Sequence, residues 1–297
     1  MGKPQQSVHF TTAPDGVRLA YAIAGSGPPI VKLPSWLTHL EDDWENPFLR
    51  HWLPELVRQH RLVRYDLRGC GLSDRDVADV SFDAWVRDME TVVDAAGLER
   101  FAIWGNSATA IAYAARHPER VSCMVFAGSY CRGALVRDPS PAQAERCAAM
   151  EKLIELGWGQ NNTEFLQVFS ARFMPGGSAK DWRWLTELTR RASSPQTALR
   201  LVRVTHQIDV TALAPLVRCP TLVFHSLGDA AVPWAEGRLT ATLIPGAEFV
   251  TLDSANHIVF AEEPAWPVML AALRRFLEAH GQSEGMAAAL SQPSWAT

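Results

Sequence analysis

Ser107 stands where a serine could act as a nucleophile, between a buried apolar segment and a helical pattern. Residues 101–104 (FAIW) predict a buried strand, Gly105-Asn106-Ser107 follows at once, and residues 108–116 predict a helix. A serine on such a sharp turn has an exposed hydroxyl, and the amides that begin the helix can stabilise a developing oxyanion. The same position also suits a serine that only caps a helix. Ser107 taken alone therefore leaves both interpretations open.

An aspartate and a histidine further along the chain could complete a catalytic group with this serine. Asp229 follows a predicted strand, 221–224, and His257 lies just beyond the next one, 248–252. Loops at the carboxyl ends of parallel strands open at one edge of a sheet, where the turn at Ser107 also opens. We therefore predict that Asp229 orients His257 and that His257 accepts the proton of Ser107.

The elements that must position these residues alternate between strands and helices. Short runs rich in valine and isoleucine predict strands at 30–33, 62–65, 101–104, 121–127, 221–224 and 248–252. Helical patterns fall between them, at 48–59, 82–96, 108–116 and 235–243. The alternation predicts an α/β fold, with a mostly parallel sheet flanked by helices. Pro14-Asp15-Gly16, between strands near 8–12 and 17–22, predicts a hairpin that makes this edge antiparallel.

The strand signals stop between about Leu135 and Thr205, where helical segments are interrupted by glycine and proline. They resume at Pro220, so we predict a helical cap, 135–205, inserted after the sixth strand into a core formed by 1–134 and 206–280. The tail 281–297 is small and polar, and we expect it to be disordered.

Composition excludes several classes of function. The 297 residues are 47% hydrophobic and 20% charged with a formal net charge of -4, and no lysine or arginine stripe suits nucleic acid. The first ten residues lack the pattern of a secretory signal, and no run approaches ~18 apolar residues. We therefore expect a cytoplasmic protein that binds a small molecule and neither nucleic acid nor a membrane; the oligomeric state stays open.

Neither the cysteines nor the histidines suggest a metal site. The five cysteines are odd in number and never form C-x-x-C, which argues against a disulfide framework and a structural zinc. His39, His206 and His225 have no standard ligand spacing. We predict no metal and no cofactor.

Two further motifs carry a family resemblance. Residues 64–73 (RYDLRGCGLS) contain the pattern D-x-R-G-x-G-x-S, and residues 117–121 (HPERV) lead into the sixth predicted strand. With the order serine, aspartate, histidine, these motifs make the stretch from about 8 to 280 resemble the α/β-hydrolase superfamily, in particular bacterial carboxylesterase-like domains. The segment 34–41 (PSWLTHLE) resembles hydrolase domains that occur alone or fused to cyclase or regulator domains. We interpret Asp66, Arg68, Gly69 and Gly71 within the first motif as structural.

The resemblance implies a serine hydrolase that cleaves carboxylic esters, small-molecule substrates, through an acyl-enzyme. Its catalytic triad would be Ser107, Asp229 and His257. The implied oxyanion hole consists of the backbone amides of Ala108 and Trp36, although Pro34-Ser35 stands where the family usually has His-Gly.

The turn at Ser107 departs from the family pattern G-x-S-x-G. Residues 105–110 read GNSATA, and the distance to His117-Pro118 is about three residues shorter than usual, which removes ~4.5 Å of helix. In one outcome the small residues rebuild a compact turn and activity survives. In the other, the β-branched Thr109 crowds the strand and misplaces the oxyanion amide, leaving a weak enzyme or a binding domain. We favour activity because the triad order is intact.

Two rival functions follow from the same residues. A ligand-sensing domain would keep the fold and lose turnover. Carbon–carbon bond hydrolases often carry G-N-S at this turn, but they usually place tryptophan directly after the catalytic histidine, where this chain has Ile258. Relatives with an aspartate nucleophile are disfavoured because residue 107 is serine.

Overall fold

The computed structural model describes residues 5–35, 38–47, 49–105, 107–158, 160 and 163–281. Eight strands in these residues form one sheet, and they are β1 (Gln6–Thr12), β2 (Arg18–Ala24), β3 (Pro29–Lys32), β4 (Arg61–Tyr65), β5 (Phe101–Gly105), β6 (Val121–Ala127), β7 (Thr221–Ser226) and β8 (Glu248–Leu252). Their order across the sheet is β1-β2-β4-β3-β5-β6-β7-β8.

The sheet is parallel except at one edge. Strands β4, β3, β5, β6, β7 and β8 pair in parallel, while β2 pairs antiparallel with both β1 and β4. The β1–β2 turn is closed by the amide of Gly16, which donates to the carbonyl of Ala13 at 2.9 Å. Gly16 has a φ of 88°, a conformation that glycine adopts without strain. The predicted α/β class with an antiparallel edge is confirmed.

The described residues contain one short 3₁₀ helix (Ala214–Leu216) and ten α-helices, which are α1 (Trp52–Val57), α2 (Phe82–Ala95), α3 (Ser107–Arg116), α4 (Ala134–Arg137), α5 (Pro141–Gly157), α6 (Thr163–Phe173), α7 (Ala179–Ala192), α8 (Pro195–Gln207), α9 (Trp234–Leu243) and α10 (Ala265–His280). The prediction of a helix at 48–59 was too long, and Phe48 lies outside the described residues. Pro54 accounts for the later start, because a proline fits only the first turn of a helix.

The hydrophobic core occupies both faces of the sheet. In β5, Phe101 and Ile103 pack in one cluster with residues of α2 and α3, whereas Ala102 and Trp104 pack in a second cluster with residues of α1 and α10. Alternate residues of a strand point to opposite faces, so a strand buried on both sides reads as an unbroken apolar run. This double burial explains why the central strands were visible in the sequence.

Helices α4 to α8 follow β6, where the helical cap was predicted. They have an apolar cluster of their own that includes Ile154, Trp158 and Phe169, and Ile258 and Phe260 of the core pack against it. The cap is therefore joined to the loop that carries His257. None of the helices in the described part of the chain is both long and apolar enough to cross a membrane.

Side chains of the motif at 66–73 connect distant segments of the chain through hydrogen bonds and ion pairs. Asp66 Oδ2 accepts from the amides of Leu40 at 3.2 Å and Leu72 at 2.9 Å. The buried Arg68 guanidinium pairs with Asp88 at 2.6 Å and Asp15 at 2.7 Å. These contacts agree with the structural interpretation of the motif.

Candidate active site

Asp229 and His257 meet at the carboxyl edge of the sheet, on the loops that follow β7 and β8. His257 Nδ1 lies 2.6 Å from Asp229 Oδ2. The other carboxylate oxygen accepts from the amides of Ala231 at 2.8 Å and Val232 at 2.9 Å. These bonds fix the carboxylate, so the imidazole is held through Nδ1 and its second nitrogen, Nε2, is left for proton transfer.

The environment of Asp229 keeps its carboxyl group ionised. Burial alone raises the pKa of Asp229, but the hydrogen bond and charge of His257 and the Val232 amide outweigh burial, and the pKa lies below its ordinary value. An ionised carboxylate can stabilise the imidazolium that forms when His257 accepts a proton. The pair thus has the electrostatics that a general base needs.

A second imidazole, that of His225, lies behind Asp229. His225 Nε2 donates to the carbonyl of Val232 at 2.9 Å and lies 3.5 Å from Asp229 Oδ2. The side chain is fully buried, and burial lowers the pKa of His225. His225 follows the apolar residues LVF within β7, so residue types alone did not indicate a contact with Asp229.

The cap holds the loop that carries His257. The His257 amide donates to the carbonyl of Phe173, the last residue of α6, at 2.8 Å. The rings of these two residues pack edge to face with centroids 5.8 Å apart. Beyond α6, the amide of Gly176 donates to Asn256 Oδ1 at 2.9 Å. The position of His257 therefore depends on the cap as well as on the sheet.

Ser107 is the first residue of α3 and is buried, at 2% exposure, instead of being exposed on the turn before the helix. Its hydroxyl donates to the Tyr130 carbonyl at 2.7 Å and accepts from the Tyr130 amide at 3.0 Å. These bonds, rather than one to His257, engage the hydroxyl among the described residues. The shortened segment accounts for this position, because Gly105, with a φ of 128°, makes the turn and the helix begins two residues later. Asn106 lies outside the described residues.

Ser107 and His257 nevertheless line the same cavity, which has a volume of about 760 Å³. The sheet side contributes Leu33, Trp52 and Trp104, and the cap contributes Met150, Phe169 and Phe173. Cavities of this size, with mostly apolar walls and a few polar groups, are typical of small-molecule sites. The structure thus brings Ser107 and His257 to the walls of one cavity, with Asp229 in contact with His257.

Of the two predicted oxyanion donors, Ala108 is within the described residues and Trp36 is not. Ala108 is fully buried next to Ser107 in the first turn of α3. Trp36 lies outside the described residues, while its neighbour Ser35 lines the cavity. Both assignments stay predictions.

Metal-binding groups are not evident in the part of the chain that the structure describes. No three histidine, cysteine, aspartate or glutamate side chains there are grouped so that they could hold a metal ion. All five cysteines are buried free thiols.

Comparisons with known proteins extend these observations. The model of the family described as alpha/beta hydrolase fold matches residues 28–162. An esterase structure from Exiguobacterium antarcticum superimposes with a TM-score of 0.78 at 20% identity, covering 91% of this chain and 98% of the esterase.

The chain has the α/β-hydrolase fold, and its residues 28–162 match the model of that family. Two relatives in sequence each match most of the length of the chain. RutD of Azorhizobium caulinodans, provisionally a carbamate hydrolase, is 27% identical over 83% of this chain and 90% of RutD. Pyrrolizixenacetamide deacetylase of Xenorhabdus hominickii is 26% identical over 88% of this chain and 94% of the deacetylase.

Proposed function

We propose that this chain hydrolyses carboxylic esters through an acyl-enzyme, with Ser107 as nucleophile, His257 as general base and Asp229 as the residue that orients the imidazole. The observation that carries the proposal is the 2.6 Å contact between His257 Nδ1 and Asp229 Oδ2, in the wall of a cavity that Ser107 also lines. An oriented imidazole beside a serine hydroxyl is the arrangement that activates a serine.

The reaction begins when the Ser107 hydroxyl leaves the Tyr130 backbone. Rotation about the Cα–Cβ bond moves Oγ to another staggered position. The rotation breaks the two hydrogen bonds between the Ser107 hydroxyl and the Tyr130 backbone, each worth about 1 kcal/mol. That cost is small beside the ~8 kcal/mol or more by which enzymes lower barriers. The bonds to Tyr130 would then describe a resting position of the nucleophile.

Proton transfer and oxyanion stabilisation follow from the assigned roles. Oγ attacks the ester carbonyl while His257 Nε2 takes its proton, and the imidazolium then protonates the departing alcohol. Water hydrolyses the acyl-Ser107 ester by the same route. The amides of Ala108 and Trp36 would bind the oxyanion, and a donor of this kind lowers the barrier by about 2.7 to 4 kcal/mol.

The names of related proteins agree with cleavage of an acyl group. A deacetylase is among the sequence relatives, and an esterase and an enol-lactonase are among the structures that share the fold. Amide, ester and lactone cleavage all pass through a tetrahedral intermediate of the type described here. We choose esters, cyclic esters included, because an alkoxide is a better leaving group than the far more basic amide anion.

A ligand-binding domain without turnover is the second candidate. The observation that favours it is the pair of hydrogen bonds between the Ser107 hydroxyl and the Tyr130 backbone, together with the 2% exposure of the serine. If that position is permanent, the cavity still binds a ligand, but nothing attacks it.

A panel of p-nitrophenyl esters with acyl chains of increasing length separates these functions. We expect turnover by the wild type and background rates for both Ser107→Ala and His257→Ala. Background rates for all three proteins would favour the ligand-binding domain. Activity that survives Ser107→Ala but not His257→Ala would assign water, rather than Ser107, as the nucleophile that His257 activates.

A further inference from the structure

The cap side of the cavity is lined by three arginines that the reaction does not use, Arg137, Arg172 and the exposed Arg146. Arg137 is the last residue of α4, and Arg172 lies in the last turn of α6. Both are half-buried, and both line the cavity that contains Ser107 and His257. The cavity therefore has a catalytic end at the sheet and a cationic region at the cap.

Neither guanidinium is neutralised by a carboxylate. Among the described residues no acidic oxygen lies within 4.0 Å of either group, and the one hydrogen bond of the Arg172 side chain is a long one, 3.5 Å to the carbonyl of Ala231. Two other arginines of this region do have carboxylate partners: Arg203 contacts Glu151 at 2.7 Å, and Arg132 contacts Glu236 at 2.7 Å. Arg137 and Arg172 lack such a partner among the described residues.

The acidic groups around the cavity have other partners. Glu236 is bound to Arg132, and Asp229 is bound to His257. Asp138, next to Arg137 in the chain, accepts from the amide of Ser140 at 3.1 Å. Burial lowers the pKa of Arg172 and the charge of Arg137 lowers it further, against an opposing effect of the Asp229 charge, so the two half-buried cations that line the cavity repel one another. An anion placed between them would relieve both effects.

We propose that Arg137 and Arg172 bind a carboxylate of the substrate, and that the preferred substrates are half-esters of dicarboxylic acids. Guanidinium groups match the geometry of a carboxylate with two parallel hydrogen bonds, and they stay charged at all relevant pH values. One end of the substrate would lie at the arginines while its ester carbonyl lies at Ser107, and a cavity of about 760 Å³ has room for both. This inference rests on the proposed esterase function for the position of the ester, but not for the binding of the anion.

The kinetic test compares matched esters. p-Nitrophenyl monoesters of adipic, pimelic and suberic acid have chains long enough to keep attack by their own carboxylate slow, and the corresponding methyl diesters lack the charge. We expect the wild type to have a higher kcat/KM for the monoesters. Arg172→Gln and Arg137→Gln should each remove about 10-fold or more of that preference, the worth of a charge-assisted hydrogen bond. The preference is a ratio of kcat/KM values for monoester and diester, so any loss common to both esters cancels. Arg172→Lys should recover only part of the preference.

Control variants distinguish the effect of Arg137 and Arg172 from that of other positive charges in the protein. Arg190→Gln removes an exposed cap arginine that pairs with Glu187, and it should leave the preference unchanged. Lys32, a buried cation on the sheet side of the same cavity, offers the rival location for an anion. A preference that survives both arginine substitutions and disappears in Lys32→Gln would overturn the proposal.

A binding measurement tests the arginines without turnover. Adipate, pimelate and suberate are titrated by calorimetry into Ser107→Ala, alone and combined with Arg172→Gln. Binding that weakens about 10-fold or more in the double variant supports the carboxylate site even if no ester is cleaved. Equal binding by both proteins would overturn it, and cleavage of neutral esters by the wild type would then leave the proposed function standing by itself.

Discussion

Gly128 lies directly against the ring of His257. A Cβ atom on residue 128 would come within 2.4 Å of His257 Cε1 and 2.7 Å of Nδ1. Gly128 follows β6 and stands two residues before Tyr130, whose backbone binds the Ser107 hydroxyl. The segment 128–130 therefore touches both the proposed base and the proposed nucleophile.

The substitution Gly128→Ala should reduce ester hydrolysis strongly by displacing the imidazole from Asp229. A displacement of about 1 Å can cost 10²-fold in rate, so we expect kcat/KM to fall about 100-fold or more. Gly97→Ala is the matched control, because Gly97 also has a positive φ, 65°, but a Cβ there would have no atom within 4 Å. Equal activities of the two variants would show that His257 does not depend on this contact.

Replacing Asp229 with asparagine should leave the shape of the site intact and remove its charge. The amide can present its NH₂ group to His257 Nδ1, which favours the wrong imidazole tautomer. We expect a loss of about 10³- to 10⁴-fold in kcat, measured on the best ester of the panel. A loss below 10-fold would mean that His257 is not the base that Asp229 orients.

The ionisation of Asp229 should also make the free energy of unfolding depend on pH. The pKa of Asp229 is lowered from an ordinary value of 3.8, so its ionised form stabilises the fold above about pH 4. That contribution is lost as the pH falls through the folded-state pKa. In urea titrations the stability advantage of the wild type over Asp229→Asn should therefore shrink below pH 4, whereas a constant difference would contradict the lowered pKa.

Asp66 should make the stability of the fold depend on pH in the opposite direction. Burial raises the pKa of Asp66 to about 7, against hydrogen bonds from the Leu72 and Leu40 amides that lower it. The folded state then keeps a proton that the unfolded chain has already lost, so stability falls as the pH rises from about 4 to 7. Relative to Asp66→Asn, the wild type should lose at most about 1.4 kcal/mol per pH unit in this window.

Measurements of unfolding free energy can test the hydrogen bonds between the Ser107 hydroxyl and the Tyr130 backbone without an activity assay. Ser107→Ala leaves the Tyr130 amide and carbonyl without these partners and should cost about 1 to 3 kcal/mol of unfolding free energy. Ser170→Ala is the control, because the Ser170 hydroxyl is buried and has no hydrogen-bond partner among the described residues. If the two variants are equally stable, the Ser107 hydroxyl does not rest on Tyr130.

Much of the fold was visible in the sequence because its central strands are buried on both faces. Residues 101–104 and 221–224 read as unbroken apolar runs for this reason, and the absence of such runs marked the helices of the cap. The Asp229–His257 contact was predictable because both residues lie on loops that follow parallel strands. The boundaries 135–205 and 281–297 stay predictions, as do the cytoplasmic location and the absence of a cofactor. Of the tail, 282–297 lies outside the described residues.

Contacts through the backbone or between distant helices could not be predicted. The Tyr130 backbone binds Ser107 with groups that every residue carries, so no side chain signals the contact. The burial of Ser107 depends on how the shortened segment is accommodated, which residue types do not specify. Arg137 and Arg172 stand on separate helices with no motif between them, and only the packing of the cap brings them to one cavity.

Labelling with a fluorophosphonate, followed by mass spectrometry of the digested protein, tests the central claim most directly. The reagent phosphonylates a serine only where a general base activates its hydroxyl. We predict one adduct on the peptide that contains Ser107, lost in His257→Ala and formed more slowly while an ester substrate is present in excess. An adduct on another serine, or none in a wild type that hydrolyses esters, would contradict the assignment of Ser107 as the nucleophile.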